Sequence, residues 1–95
     1  MLTSVPTLFT EILFIKENTV IMPLADEHIV EYYFENKGSV DCFISGIQLQ
    51  PFENIRIQSS SFAFDKTTYR LIFEDTTGLK NLLIIKRRFI NFIKI

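Results

Sequence analysis

The chain is short of the residues that carry most site chemistry: it has one cysteine, one histidine and three glycines in 95 residues. A lone Cys42 cannot form an internal disulfide, and this cysteine usage fits synthesis in a reducing compartment. Zinc sites recruit several His or Cys ligands, and His28 and Cys42 supply one of each. Gly38, Gly46 and Gly78 stand far apart, each at a turn, so no glycine-rich loop exists to cradle a phosphate. Alanine occurs only at positions 25 and 63, which removes the best helix former. No charge sign dominates either: a net charge of −1 gives no bulk attraction to nucleic acid or anionic lipid. The first fifteen residues contain no Lys or Arg, and Glu11 interrupts their apolar run, so we expect no secretory signal peptide. No apolar stretch reaches the ~18 residues of a membrane-spanning helix.

What is abundant is apolar and strand-forming. Hydrophobic residues make up 47% of the chain, including ten Phe and three Tyr, which excludes a disordered chain. Ninety-five residues form one domain, and at that size roughly 60–65% of the unfolded surface is buried. Such apolar content is high for so small a domain, and it points equally to outward contact surface or to a well-filled sandwich core with ordinary scattered exposure.

Short apolar runs alternate with polar residues between turn signals, the pattern of strands. Residues 1–9 read as an irregular lead-in with Pro6. Strands are expected at 10–16, then after a Glu17-Asn18 turn at 19–24, where Pro23 suggests an edge. In 28–35, Val30, Tyr32 and Phe34 point one way and Ile29, Glu31, Tyr33 and Glu35 the other. After an Asn36–Ser39 turn, in which Gly38 can take positive φ, Val40, Cys42 and Ile44 form an inward face. Short strands at 47–49 and 55–57 flank a turn at 51–54, and Phe62 and Phe64 share a face. Strands at 69–74 and 81–88 are expected to pair as a hairpin closed by Asp75–Gly78. Seven or eight short strands indicate an all-β antiparallel β-sandwich, jelly-roll or immunoglobulin-like in order. Residues 10–88 form this domain, and 89–95 an apolar C-terminal strand or arm.

Candidate chemistry is sparse. His28, beside Asp26 and Glu27, reads as a charge partner in a loop, and Cys42 as a small core hydrophobe. Glu31 and Glu35 share a strand face, but a small sandwich has little room for the cleft that carboxylate catalysis needs. We therefore expect no catalytic, cofactor-binding or metal-ligating residue, no small-molecule substrate and no enzyme activity. Lys86, Arg87 and Arg88, followed by Phe89, are the one basic cluster. They would suit nucleic acid, yet the near-zero net charge favours a strand end whose charges alternate faces and meet acidic residues of a neighbouring chain.

The tail is the most informative oddity. Phe89, Ile90, Phe92, Ile93 and Ile95 make it apolar to its last residue, where chain ends are usually polar. A free apolar segment aggregates, so these residues are expected to dock, in their own domain or on a neighbouring subunit. Tyr33, Phe43 and Phe52 are candidate surface aromatics for binding a carbohydrate or receptor.

The stretch Phe34-Glu35-Asn36-Lys37-Gly38-Ser39-Val40, followed by Ile44-Ser45-Gly46-Ile47-Gln48-Leu49-Gln50-Pro51, resembles a pattern in small β-sandwich structural proteins of bacteriophages. So do Asp65–Phe73 and Asn81–Lys86, which extend the resemblance over about residues 34–88. Similar sequences place Gly after the Pro, where this chain has Phe52. The resemblance implies a virion component made in the host cytoplasm: a capsid, penton, spike-base, connector or decoration subunit. Its partners would be copies of itself and other virion proteins. The richness in Ile, Phe, Lys and Asn also suits an AT-rich genome.

Overall fold

A computed structural model describes residues 7–24, 27–59 and 64–90. It contains eight strands: β1 (Thr7–Ile15), β2 (Thr19–Ile21), β3 (His28–Asn36), β4 (Cys42–Ile44), β5 (Ile47–Leu49), β6 (Asn54–Gln58), β7 (Tyr69–Phe73) and β8 (Leu82–Ile90). The described residues contain no helix, as the scarcity of alanine and the β-branched and aromatic composition predict. The strands form two four-stranded sheets, β1-β8-β3-β6 (sheet A) and β2-β7-β4-β5 (sheet B).

The order has a simple origin. β1 pairs with β8, β2 with β7, β3 with β6 and β4 with β5, each antiparallel. The chain is thus a long ribbon folded back at the β4–β5 turn and then rolled, so that successive segments of the ribbon fall in alternate sheets. Added pairings β3·β8 and β4·β7 join the rolled layers. This is the jelly-roll order, with its two Greek keys, and it settles the choice that periodicity left open.

The core lies between the sheets. Sheet A contributes Ile29, Tyr32, Phe34, Leu82 and Ile84; sheet B contributes Cys42, Ile44, Leu49, Tyr69, Leu71 and Phe73. Val40, Cys42 and Ile44 are all buried, as their alternation predicts. Tyr32, Phe34 and Tyr69 form an aromatic cluster with ring centroids 5.0–5.6 Å apart. The Tyr69 hydroxyl donates to the buried Asp65 carboxylate at 2.7 Å, and burial followed by that hydrogen bond pushes the phenol up to about 12. Asn36 is wholly buried at the end of β3. Its Nδ2 donates to the carbonyls of Val40 (2.8 Å) and Leu49 (2.9 Å), while its Oδ1 accepts from Gly38 N–H (2.9 Å).

Several sequence expectations need correction. β7 and β8 are not a hairpin: they lie in different sheets, and the 74–81 segment crosses between them. That segment pairs instead with the β3–β4 crossing, through Lys37 N–H to Asn81 O and Ser39 N–H to Leu79 O, both 2.8 Å. Gly38 is needed there for space and not for positive φ: a Cβ would fall onto the Leu79 carbonyl and 2.9 Å from Asn81 N. The positive-φ glycines are Gly46 and Gly78. A bulge between Ile29 and Glu31 shifts the β3 register, so Ile29, not Val30, joins Tyr32 and Phe34 in the core. β1 begins at Thr7, inside the expected lead-in, because β8 continues to Ile90 and gives residues 7–9 partners. β2 ends at Ile21, before Pro23, and is an edge strand. Phe62 lies outside the described residues.

Candidate binding surfaces

The basic cluster sits on β8, and the pleat splits it. Lys86 and Arg88 turn inward at one end of the sandwich, and Arg87 turns outward. All three meet acids of their own chain. Lys86 Nζ lies 2.8 Å from Glu27 and 3.2 Å from Glu11. Arg88 Nε approaches Glu27 at 3.4 Å, and Arg87 approaches Glu31 at 3.3 Å. Burial works against the charged form of Glu27. The hydrogen bonds from Lys86 and Leu24 N–H, with the fields of Lys86 and Arg88, outweigh it and hold the carboxyl below its ordinary value. The cluster is thus matched to internal acids and presents a weak electrostatic footprint for phosphates.

The three surface aromatics are not brought together. Tyr33 lies on the outer face of sheet A beside Glu31 and Glu35. Its hydroxyl donates to Glu35 at 2.5 Å, and the Arg56 guanidinium sits 5.6 Å from its ring centroid. Glu35 also pairs with Lys37 at 2.6 Å, and Glu31 with Arg56 at 2.8 Å. Hydrogen bonding from Lys37 first, then from Tyr33, holds the Glu35 carboxyl low. The same hydrogen bond from Tyr33 to Glu35 raises the phenol. The groove here, about 410 Å³, is therefore filled with mutually satisfied charges.

Phe43 occupies the opposite side of the molecule. With Val20 and Ile72 it floors a shallow depression of about 670 Å³ on the outer face of sheet B, rimmed by Ser45, Thr68 and Arg70. Cross-strand registry builds this floor, since Phe43 stands opposite Ile72, and Arg70 opposite Val20. Phe52 is 79% exposed at the β5–β6 turn, with φ of 71°. Its N–H donates to the Asn36 carbonyl at 2.8 Å, which holds the turn.

The tail residues divide likewise. Phe89 lies within β8, between Leu8 of β1 and His28 of β3, with its ring edge-on to Phe64 at 6.4 Å. Ile90 ends β8 opposite Thr7. Phe92, Ile93 and Ile95 lie outside the described residues.

One surface was missed by sequence reasoning. β1 is an edge strand of sheet A, and Leu8, Thr10, Ile12 and Phe14 point away from the core. Ile12 is 59% and Phe14 56% exposed. With Leu83 and Ile85 alongside on β8, Leu8, Ile12 and Phe14 make this side apolar up to an edge that no described strand pairs. The signal was present as alternation in 7–15, but Leu, Phe and Ile stand on both faces, so the pattern did not tell inside from outside.

Cys42 is fully buried, and burial pushes its thiol up to about 11. His28 lies in sheet A, edge-on to Phe64 at 4.7 Å, and Cys42 in sheet B, so the two do not form a nucleophile–base pair. Among the described residues no group of three or more His, Cys, Asp or Glu side chains could hold a metal ion. No helix among them is long and apolar enough to cross a membrane. No protein-family model and no curated protein sequence matches the chain.

Proposed function

We propose that this protein is a non-enzymatic structural subunit of a bacteriophage virion that acts by oligomeric assembly. The observation that carries the reading is a jelly roll whose outward faces remain apolar at Leu8, Ile12, Phe14, Phe43 and Ile72. The jelly roll recurs in viral capsid proteins, but also in lectins and cupins, so topology alone does not choose among them. The apolar exterior favours assembly, because contiguous apolar surface on a small soluble domain marks an interaction site. The resemblance over residues 34–88 supplies the phage setting. Mass spectrometry of purified particles, with copy number, tests the proposal. We expect the chain in symmetric stoichiometry, and its absence from particles would overturn the reading.

A second reading is a carbohydrate- or receptor-binding module. The sheet B depression favours it, because Phe43 offers a ring for stacking while Arg70, Ser45 and Thr68 offer polar contacts. Binding on a glycan array that Phe43→Ala abolishes would support it. Silence across a broad array would remove the carbohydrate form.

A further inference from the structure

We infer that β1 is a homodimerisation edge, which pairs antiparallel with β1 of a second copy to join two A sheets into one eight-stranded sheet. The inference rests on the assembly reading above and names its first contact.

The four sheet edges differ in how they are protected. β5 and β2 are three residues long, and β2 is followed by Pro23. β6 has five residues and turns Asn54, Arg56 and Gln58 outward, polar groups that discourage pairing. β1 has nine residues, with no proline, lysine or arginine. Its single charge, Glu11, turns inward and is neutralised by Lys86 at 3.2 Å. The edge therefore presents neutral side chains and a row of backbone donors and acceptors that β8 does not use. Among the described residues, β1 carries no proline, no lysine and no bulge that would blunt this edge.

A second copy of the chain fits this edge better than a charged partner does. Residues directly opposite in an antiparallel pair share a face, so a two-fold axis must pass midway between one residue of β1 and its own copy for outer faces to match. An axis at Glu11 would set two carboxylates face to face, which is unfavourable. An axis at Ile12 sets Ile12 against its copy, Thr10 against Phe14, and Glu11 against Leu13. That register keeps Ile12 and Phe14 of both copies together across the axis and sets Leu8 opposite Lys16 at its two ends. A nine-residue strand is ~30 Å long, and the flank of a two-layer sandwich is ~20 Å thick, so pairing buries on the order of 1,200 Å² in total, the lower limit of a stable specific interface.

Sedimentation equilibrium or light scattering of the full chain tests this. The wild type is expected to dimerise at micromolar concentration. Ile12→Lys, at an exposed position, is expected to weaken the dimer at least ~100-fold, because the change enters the axis twice. Its thermal melt should stay close to that of monomeric wild type. As a second reading of the same geometry, Ile12→Cys should form an intermolecular disulfide under mild oxidation, whereas Ile72→Cys on the opposite sheet should not. A wild-type oligomer unaffected by Ile12→Lys, or equal cross-linking at both cysteines, would overturn the β1 interface while leaving the assembly reading intact. A chain that stays monomeric at the highest soluble concentration would overturn it as well. The assembly reading fails separately, by absence from purified particles.

Discussion

Asn36 is the residue whose loss should reveal most about how the rolled ribbon is held. It is wholly buried, and its carboxamide satisfies three backbone groups from three places: the Val40 carbonyl, the Leu49 carbonyl and the Gly38 N–H. Asn36→Ala leaves all three without that partner. A buried orphaned donor or acceptor costs ~1–3 kcal/mol, which gives ~3–9 kcal/mol if nothing replaces the amide. The removed carboxamide leaves room for about one water, which can satisfy part of the set, so we expect a loss of ~3–5 kcal/mol. Total stability for a domain of this size is on the order of 5–15 kcal/mol, so the variant should sit near its unfolding threshold. Urea denaturation by circular dichroism measures it directly, and the melting temperature should drop by at least ~12 °C. Asn36→Asp sharpens the reasoning. A carboxylate can still accept from Gly38 N–H but would face the Val40 and Leu49 carbonyls with no proton to offer. Its folded-state pKa should therefore lie above its unfolded value, so the variant should be less destabilised at low pH and lose stability as pH rises through that folded value. A loss under ~1 kcal/mol for Asn36→Ala, or an Asn36→Asp variant insensitive to pH, would refute this account.

Other positions give independent checks. Gly38→Ala should cost ~2–4 kcal/mol, because the new Cβ meets the Leu79 carbonyl and Asn81 N between the two sheet crossings. Gly46→Ala should cost only ~1 kcal/mol, since space is open there and the penalty is its φ of 90°; equilibrium unfolding of the pair distinguishes crowding from backbone strain. Glu27, held below its ordinary carboxylate value of 4.5, should contribute stability that is present above that pH and lost as pH falls through the lower folded value. Glu27→Gln should accordingly flatten the acid limb of a stability–pH curve, and an unchanged limb would show that the ion pairs to Lys86 and Arg88 carry no net stabilisation. Cys42, with its thiol raised to about 11, should react with a thiol reagent at least ~100-fold more slowly in native protein than in denaturant. Rapid stoichiometric labelling of native protein would contradict its burial.

Much of the fold was legible because strand chemistry is local. The alternation of Val40, Cys42 and Ile44, or of Tyr69, Leu71 and Phe73, marks a buried face directly, and all six are buried. What failed was what no local pattern encodes. Asp75–Gly78 has the composition of a hairpin turn, yet the chain there crosses between layers, because Leu79 and Asn81 just after it bond to Ser39 and Lys37, about forty residues earlier. Ile29 and Val30 are equally apolar neighbours, so the bulge that sends one inward and the other aside leaves no trace in the pattern. The candidate surfaces were legible as residue types only. Lys86, Arg87 and Arg88 were recognisable as a cluster, but the acids that neutralise them come from positions 11, 27 and 31, which only the rolled topology brings alongside.

That topology also bears on where such a chain can interact. In a rolled ribbon the two ends of the chain pair with each other, as β1 with β8, and the fold-back at β4–β5 ends in strands of only three residues. Sheet A is therefore long where it contains the chain ends, and sheet B is short throughout. β8 is shielded by strands on both sides, so among the described strands the one long edge strand is β1. A lysine or a proline on that flank would cost little stability, since Leu8, Ile12 and Phe14 are exposed and point away from the core. Apolar side chains on that exposed flank are what the β1 pairing proposed above would cover. The proposed pairing would lie where the first and last described strands meet, rather than in the loops.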